Sequence, residues 1–187
     1  VPDTIKGITP TAIGENCFKN SDIVNIELPK TIDELKSNAF ENSSLQRIVA
    51  EGVESCWNTA VFKNCFSLNE EYMPNITYLG EEAFYNCSMI NTLSFKDNLK
   101  TAEIQCLSGT GITEADFPNL TYINRAFEST PVKTASLPKL KDLNGAFRGC
   151  TLLESVYIPN VYKIGEYAFG GCVSLPQDMD FSKITEV

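Results

Sequence analysis

The stretch GEEAFYNC at residues 80–87 returns as GEYAFGGC at 165–172, with NGAFRGC at 144–150 between them. Aligned on its aromatic, the motif runs through the chain as Phe18, Phe40, Phe62, Phe84, Leu107 in a variant copy, Phe127, Phe147 and Phe169. The steps are 22, 22, 22, 23, 20, 20 and 22 residues. A small residue usually precedes the aromatic, as at Ala39, Ala83, Ala126, Ala146 and Ala168. Three places after it stands Ser21, Ser43, Cys65, Cys87, Thr110, Thr130, Cys150 or Cys172. A position shared by Cys, Ser and Thr asks for a small side chain that tolerates burial, not for a nucleophile. Cys56 lies outside this register, beside Trp57. It is the thiol to examine first for reactivity, although packing accounts for it as well.

After the motif comes an alternating apolar run, usually closed by proline: IVNIELP 23–29, ITEADFP 112–118, VKTASLP 132–138 and LESVYIP 153–159. Alternation marks a short strand with one buried face, and proline ends it because it has no N–H to donate. A second apolar pair, spaced by three, then brings the chain back to the core: Ile32 and Leu35, Ile76 and Leu79, Leu120 and Ile123, Leu140 and Leu143, Val161 and Ile164. A unit of about 22 residues cannot enclose a core alone, whereas stacked units can, with parallel strands pairing from one unit to the next. Eight units at about 4.8 Å per strand predict a ribbon roughly 38 Å long.

The pattern L-x-x-L-x-L-P, then apolar-x-x-I-G, then A-F-x-x-C, carried most fully by PNVYKIGEYAFGGC at 159–172, resembles the BspA-like, or Treponema-type, leucine-rich repeat. The resemblance covers the whole chain. It implies a leucine-rich repeat solenoid of the α/β class, mostly β with short helical or 3-10 turns, right-handed and curved, with a parallel β-sheet on the concave face. Residues 1–187 then form a single domain of about eight 20–23-residue units. FSKITEV at 181–187 opens like a further unit, so the chain is expected to be a segment of a longer protein. Leu107 in place of the aromatic, Lys96 and Glu51 in place of proline, and Glu71 at an inward strand position depart from the pattern. Bulges or altered curvature are therefore expected around 48–73 and 93–107.

The resemblance also implies a cell-surface or secreted, adhesin-like interaction module that binds a protein or glycan, such as host extracellular matrix. The alternative is a structural spacer within a larger surface protein, with no ligand of its own. The family supplies no catalytic residues, and neither a cofactor nor enzymatic activity is expected.

Composition points the same way. The 24 acidic residues outnumber the 15 basic ones for a net charge of −9, which repels a phosphate backbone and anionic lipid, so nucleic acid is not an expected partner. No run of 18 apolar residues occurs, and the opening VPDTIKGITP has neither the basic nor the apolar region of a signal peptide; this segment is not expected to insert into a membrane. Seven cysteines make an odd count without a C-x-x-C pair. With no histidine, the Ser-His-Asp, Cys-His and H-E-x-x-H arrangements cannot be built. GTG at 109–111 is a lone fragment of a dinucleotide fingerprint. Glu114 and Asp116 would point the same way about 7 Å apart, but on an open ribbon rather than in a cleft that raises one pKa.

The outward strand positions form the candidate binding face: Asn25 and Glu27, Arg47 and Val49, Glu70 and Tyr72, Thr92 and Ser94, Glu114 and Asp116, Thr134 and Ser136, Ser155 and Tyr157, Asp178 and Asp180. Six of these sixteen are acidic and one is basic, which favours a basic or neutral partner. Tyr72 and Tyr157 are the expected hot spots. Tyr78, Tyr122 and Tyr162 fall near the second apolar pair, on the other side of the solenoid, where core-edge packing explains them. DMDFS at 178–182 opens like a calcium loop but lacks its glycine and closing glutamate, and reads as two more strand positions. Asn42, Asn75, Asn86 and Asn119 begin N-x-S/T sequons that matter only in a eukaryotic secretory source; Asn75 and Asn119 also follow prolines as turn residues.

Overall fold

Each repeat carries the chain once around a common apolar column, and the coils stack into a parallel β-solenoid of about seven turns. The computed structural model describes residues 4, 8–176, 178 and 182–186. On one side, Asn25–Glu27, Arg47–Val49 and Glu70–Tyr72 pair in parallel, as do Glu114–Asp116, Thr134–Ser136 and Ser155–Tyr157. Their central residues Ile26, Ile48, Ala115 and Ala135 are buried while the residues on either side face outward, as the two-residue period requires.

The second apolar pairs are strands in their own right. Ser55–Cys56, Tyr78–Leu79, Thr101–Ala102 and Tyr122–Ile123 form a four-stranded parallel sheet; Ala12–Ile13 pairs with Glu34–Leu35, and Asp142–Leu143 with Lys163–Ile164. Strands of two residues are too short to show alternation in a sequence, so this second ribbon is not legible there.

The segment carrying the aromatic makes the expected 3-10-type turns, but among the described residues they do not join into a helix. The N–H groups of Asn38, Phe40 and Asn42 donate to Thr59, Val61 and Lys63 of the next coil at 3.1, 2.9 and 2.9 Å. Those of Ala39, Glu41 and Ser43 turn back three residues to Lys36, Asn38 and Phe40. A helix directs every N–H back along its own chain; here each alternate one leaves for the neighbouring coil. The backbone achieves this with a left-handed residue two places before and two after the aromatic, as at Asn16 and Asn20, Asn38 and Asn42, Gly145 and Gly149. Asparagine and glycine enter that region at low cost. Glu82 and Tyr167 occupy it as well, at φ 54° and 57°.

The aromatics form a column through the core. Phe18, Phe40, Phe62 and Phe84 stack at 5.2, 5.3 and 4.8 Å between ring centroids. Leu107 interrupts this series, and the structure fills the space from the strand side. Phe95 and Phe117 stand where neighbouring coils carry Leu28, Ala50, Met73 and Leu137, and lie 6.0 Å from Phe84 and 5.4 Å from Phe127. Phe127, Phe147 and Phe169 then resume the stack at 5.6 and 6.0 Å.

The residue three places after the aromatic closes a backbone hydrogen bond. Cys65, Cys87, Cys150 and Cys172 each donate the thiol to the carbonyl of the preceding coil's phenylalanine, Phe40, Phe62, Phe127 and Phe147, at 2.9–3.0 Å. Ser21, Thr110 and Thr130 donate instead to the aromatic-position carbonyl of their own coil. Burial pushes the Cys65 thiol up to about 11 and that of fully buried Cys56 to about 12, with the Glu71 carboxylate adding to the latter. These are packed, weakly acidic thiols, Cys56 included. Thiol labelling of the native protein is expected to reach exposed Cys17 first and half-buried Cys172 more slowly, sparing Cys56, Cys65, Cys87, Cys106 and Cys150 until denaturant is added. Fast labelling of Cys56 under native conditions would contradict the packing.

Candidate interaction surface

The outward side of the first ribbon gathers most of the residues expected to bind. Asn25, Glu27, Arg47, Glu70, Tyr72, Thr92, Ser94, Glu114, Asp116, Thr134, Ser155 and Tyr157 are all exposed, while Val49 and Ser136 are half-buried. Register places Asn25, Arg47 and Glu70 in one row and Glu27, Val49 and Tyr72 in the next. In the other sheet Glu114, Thr134 and Ser155 align, as do Asp116, Ser136 and Tyr157. Tyr72 is 51% exposed and Tyr157 61%, so each offers a ring face to a partner at the far row of its own sheet. The row's one base, Arg47, is held by Glu70 at 3.4 Å. Glu114 and Asp116 have no ion-pair partner among the described residues, so the second sheet keeps its negative charge.

The face is not the expected ribbon of eight rungs. Thr92 and Ser94 do not lie in a strand, and the face divides there into two three-stranded sheets. Asp178 is an exposed turn residue rather than a strand position, and Asp180, with most of the DMDFS stretch, lies outside the described residues.

Glu71 explains the division. It pairs with Ile48 in register and so points toward the core, at a rung where Ile26, Ile48, Leu93, Ala115 and Ala135 place apolar side chains. A carboxylate cannot remain there unsatisfied. Its two oxygens accept the N–H and the hydroxyl of Ser94 in the next coil. The Ser94 hydroxyl in turn accepts the N–H of Met73 at 2.9 Å. Elsewhere that N–H reaches a backbone carbonyl, as from Ala50 to Tyr72 at 3.0 Å or Leu137 to Tyr157 at 2.9 Å. One side-chain clasp thus replaces the ladder bonds between Glu70–Tyr72 and the next coil. Burial drives the Glu71 carboxyl up to about 7, only partly offset by hydrogen bonds from Ser94 and Met73. The distortion expected around 93–107 is therefore found on this face, whereas Arg47–Val49 and Glu70–Tyr72 pair regularly and the second ribbon runs unbroken from Tyr78 through Thr101 to Tyr122.

The break indents the face. A hollow of about 530 Å³ lies between Arg47, Glu70, Tyr72 and Ser94, and another of about 630 Å³ between Lys96, Ile112, Glu114 and Phe117. They share Thr92 and Leu93 as a common wall. Sequence reasoning noticed Glu71 as a misfit but did not connect it with these recesses.

Of the sequons, Asn75 and Asn119 donate to carbonyls of the preceding coil, Glu51 and Asp97, at 2.8 and 2.7 Å. Asn42, Asn64 and Asn86 form an amide ladder, Asn64 donating to Asn42 at 2.9 Å and Asn86 to Asn64 at 3.1 Å. These asparagines have structural work independent of any glycan.

In comparisons with known proteins, the BspA type Leucine rich repeat region matches in six copies over residues 11–133, 55–176 and 143–186. No curated protein matches the chain in sequence. Among solved structures, a leucine rich repeat protein of T. pallidum aligns with 95% of this chain and 77% of its own, at a TM-score of 0.64 and 20% identity. A leucine-rich repeat protein from Bacteroides ovatus aligns over 94% of this chain and 64% of its own, at a TM-score of 0.52 and 22% identity. At such identities the likeness speaks for the fold alone.

Proposed function

The chain belongs to the BspA type leucine rich repeat family, and on that premise we propose that it is an adhesin-like module, secreted or displayed at the cell surface, that takes a protein or glycan partner along its outward strand ribbon. It acts by binding, without catalysis. The observation that carries the proposal is the outward row chemistry: exposed Tyr72 and Tyr157 beside the acidic positions Glu27, Glu70, Glu114 and Asp116, with the single base Arg47 already engaged by Glu70. Tyrosine contributes apolar area and a hydrogen bond at little entropic cost, while Glu114 and Asp116, which have no ion-pair partner among the described residues, favour a basic or neutral surface. Glu114 and Asp116 are both open to water, unlike the buried acid that glycoside hydrolysis needs.

Binding of the intact chain to an array of purified extracellular-matrix proteins and glycans tests this. A partner bound by the wild type is expected to lose about tenfold or more in affinity in Tyr72→Ala and in Tyr157→Ala. The double variant Glu114→Lys/Asp116→Lys should weaken a basic partner and flatten its salt dependence. Equal binding by all variants, or none by the wild type, would favour the spacer role.

A further inference from the structure

A second surface, on the ribbon of two-residue strands, has the character of a ligand platform. Trp57, the chain's only tryptophan, is 65% exposed. Its ring packs 5.5 Å from that of Tyr78, tilted by 42°. Tyr78 is fixed in turn, its hydroxyl donating to Glu103 Oε1 at 2.9 Å. Buried Gly80 lets its coil close tightly on the backbone that carries Trp57, where a Cβ would come within 2.4 Å of the Trp57 carbonyl oxygen. Two coils beyond Tyr78 in the same four-stranded sheet stands Tyr122, 46% exposed, with the smaller Thr101 between them in register. The strand spacing separates Tyr78 from Tyr122 by roughly 10 Å. Core-edge packing accounts for the inward neighbours Leu79 and Ile123, but it leaves an exposed tryptophan seated on a tethered tyrosine unexplained.

We propose that Trp57, Tyr78 and Tyr122, with Thr101 and Glu103, form a binding platform for a neutral oligosaccharide, separate from the strand face described above. Charge argues against an anionic ligand, because Glu54, Glu81 and Glu103 flank the rings against the single base Lys100, and a cationic one is set against the neutral sugar in the test below. Size argues against a protein partner, because three aromatic side chains of roughly 150–250 Å² each fall short of the roughly 1,200 Å² that a stable protein interface buries. The flat, apolar C–H faces of pyranose rings match aromatic faces of this size. The roughly 10 Å between tyrosines suits sugar units two apart in an extended chain, and Thr101 and Glu103 offer hydroxyl and carboxylate partners between them.

Isothermal titration of the intact chain with cellohexaose, mannohexaose and chitohexaose tests the platform, alongside hexalysine and the emission of Trp57. At least one neutral oligosaccharide should bind saturably, with a dissociation constant on the order of 10 µM to 1 mM, and shift the emission. Binding should be unchanged by 0.5 M salt, lost at least tenfold in Trp57→Ala, weakened in Tyr122→Ala and retained in Tyr72→Ala/Tyr157→Ala. Both platform substitutions are at exposed rings, and an unchanged thermal midpoint would show that the fold is intact. No saturable binding by any of the three sugars, binding that survives Trp57→Ala, or salt-sensitive binding of hexalysine through Trp57 in their place would overturn the proposal.

Discussion

Phe84→Ala is expected to lower stability by about 3–5 kcal/mol. The ring is fully buried, packed 4.8 Å from Phe62 on one side and 6.0 Å from Phe95 on the other. It sits where the column passes from the stacked series to the coil built around Leu107, and neither Phe95 nor Leu107 can move into the vacated space without abandoning its own contacts. In a solenoid each coil touches only its neighbours, so a weakened junction separates the two halves energetically. Urea unfolding of Phe84→Ala should therefore show two transitions or a reduced m-value, besides the lower midpoint. The control is Phe18→Ala, at a half-buried ring with Phe40 as its one stacking partner among the described residues, where a smaller loss is expected. Equal effects at the two positions would mean that the aromatics do not act as a continuous column.

The second large effect concerns Glu71. In the folded chain its carboxyl titrates near 7 because burial disfavours the charge, against an ordinary value of 4.5. The folded state therefore holds this proton between about pH 4.5 and 7 while the unfolded chain has released it, so stability is highest below that window and falls as pH rises through it. Allowing for partial exposure, the loss amounts to about 2 kcal/mol above pH 7. Glu71→Gln retains a carbonyl acceptor for the Ser94 N–H and places an amide donor near the Ser94 hydroxyl, without the ionisation. At pH 8 it should be more stable than the wild type by about that amount, and the difference should vanish toward pH 4.5. Chemical denaturation of both proteins across this range decides the matter. A constant difference, or one growing toward acid, would mean that Glu71 is not the group responsible.

Much of the fold is legible because the apolar column imposes its period on the sequence. The phenylalanine steps, the small residue before them and the Cys/Ser/Thr after them each correspond to one place in the coil. What escapes is whatever the stack supplies jointly. Asn38 and Asn42 announce left-handed backbone, yet Glu82, Arg125 and Tyr167 adopt it with no compositional sign, because the inter-coil hydrogen bonds impose it. Phe95 and Phe117 read as ordinary strand ends until their rings are seen to compensate for Leu107. The candidate binding face was recognisable by alternation, but its division was not: a glutamate in an apolar series signals a defect without revealing that Ser94 receives it. Trp57 escaped for the opposite reason: its place in the coil is held elsewhere by Lys36, Gly80 and Glu103, so no recurring residue type marks it, and it acquires meaning only beside Tyr78.

The alternation of N–H groups between a coil's own turn and its neighbour has an evolutionary consequence. Every coil presents to the next the same row of carbonyl oxygens at the same spacing, so one coil's exit surface serves as the mould for another. Duplication or deletion of a whole period leaves each surviving bond with an equivalent acceptor, and differences of one to three residues between periods are absorbed outside the aromatic-bearing segment, whose bonds to the next coil persist from Phe84 through Leu107 to Phe127. Reach can thus be lengthened or shortened in steps of one period, while the interior chemistry stays unchanged.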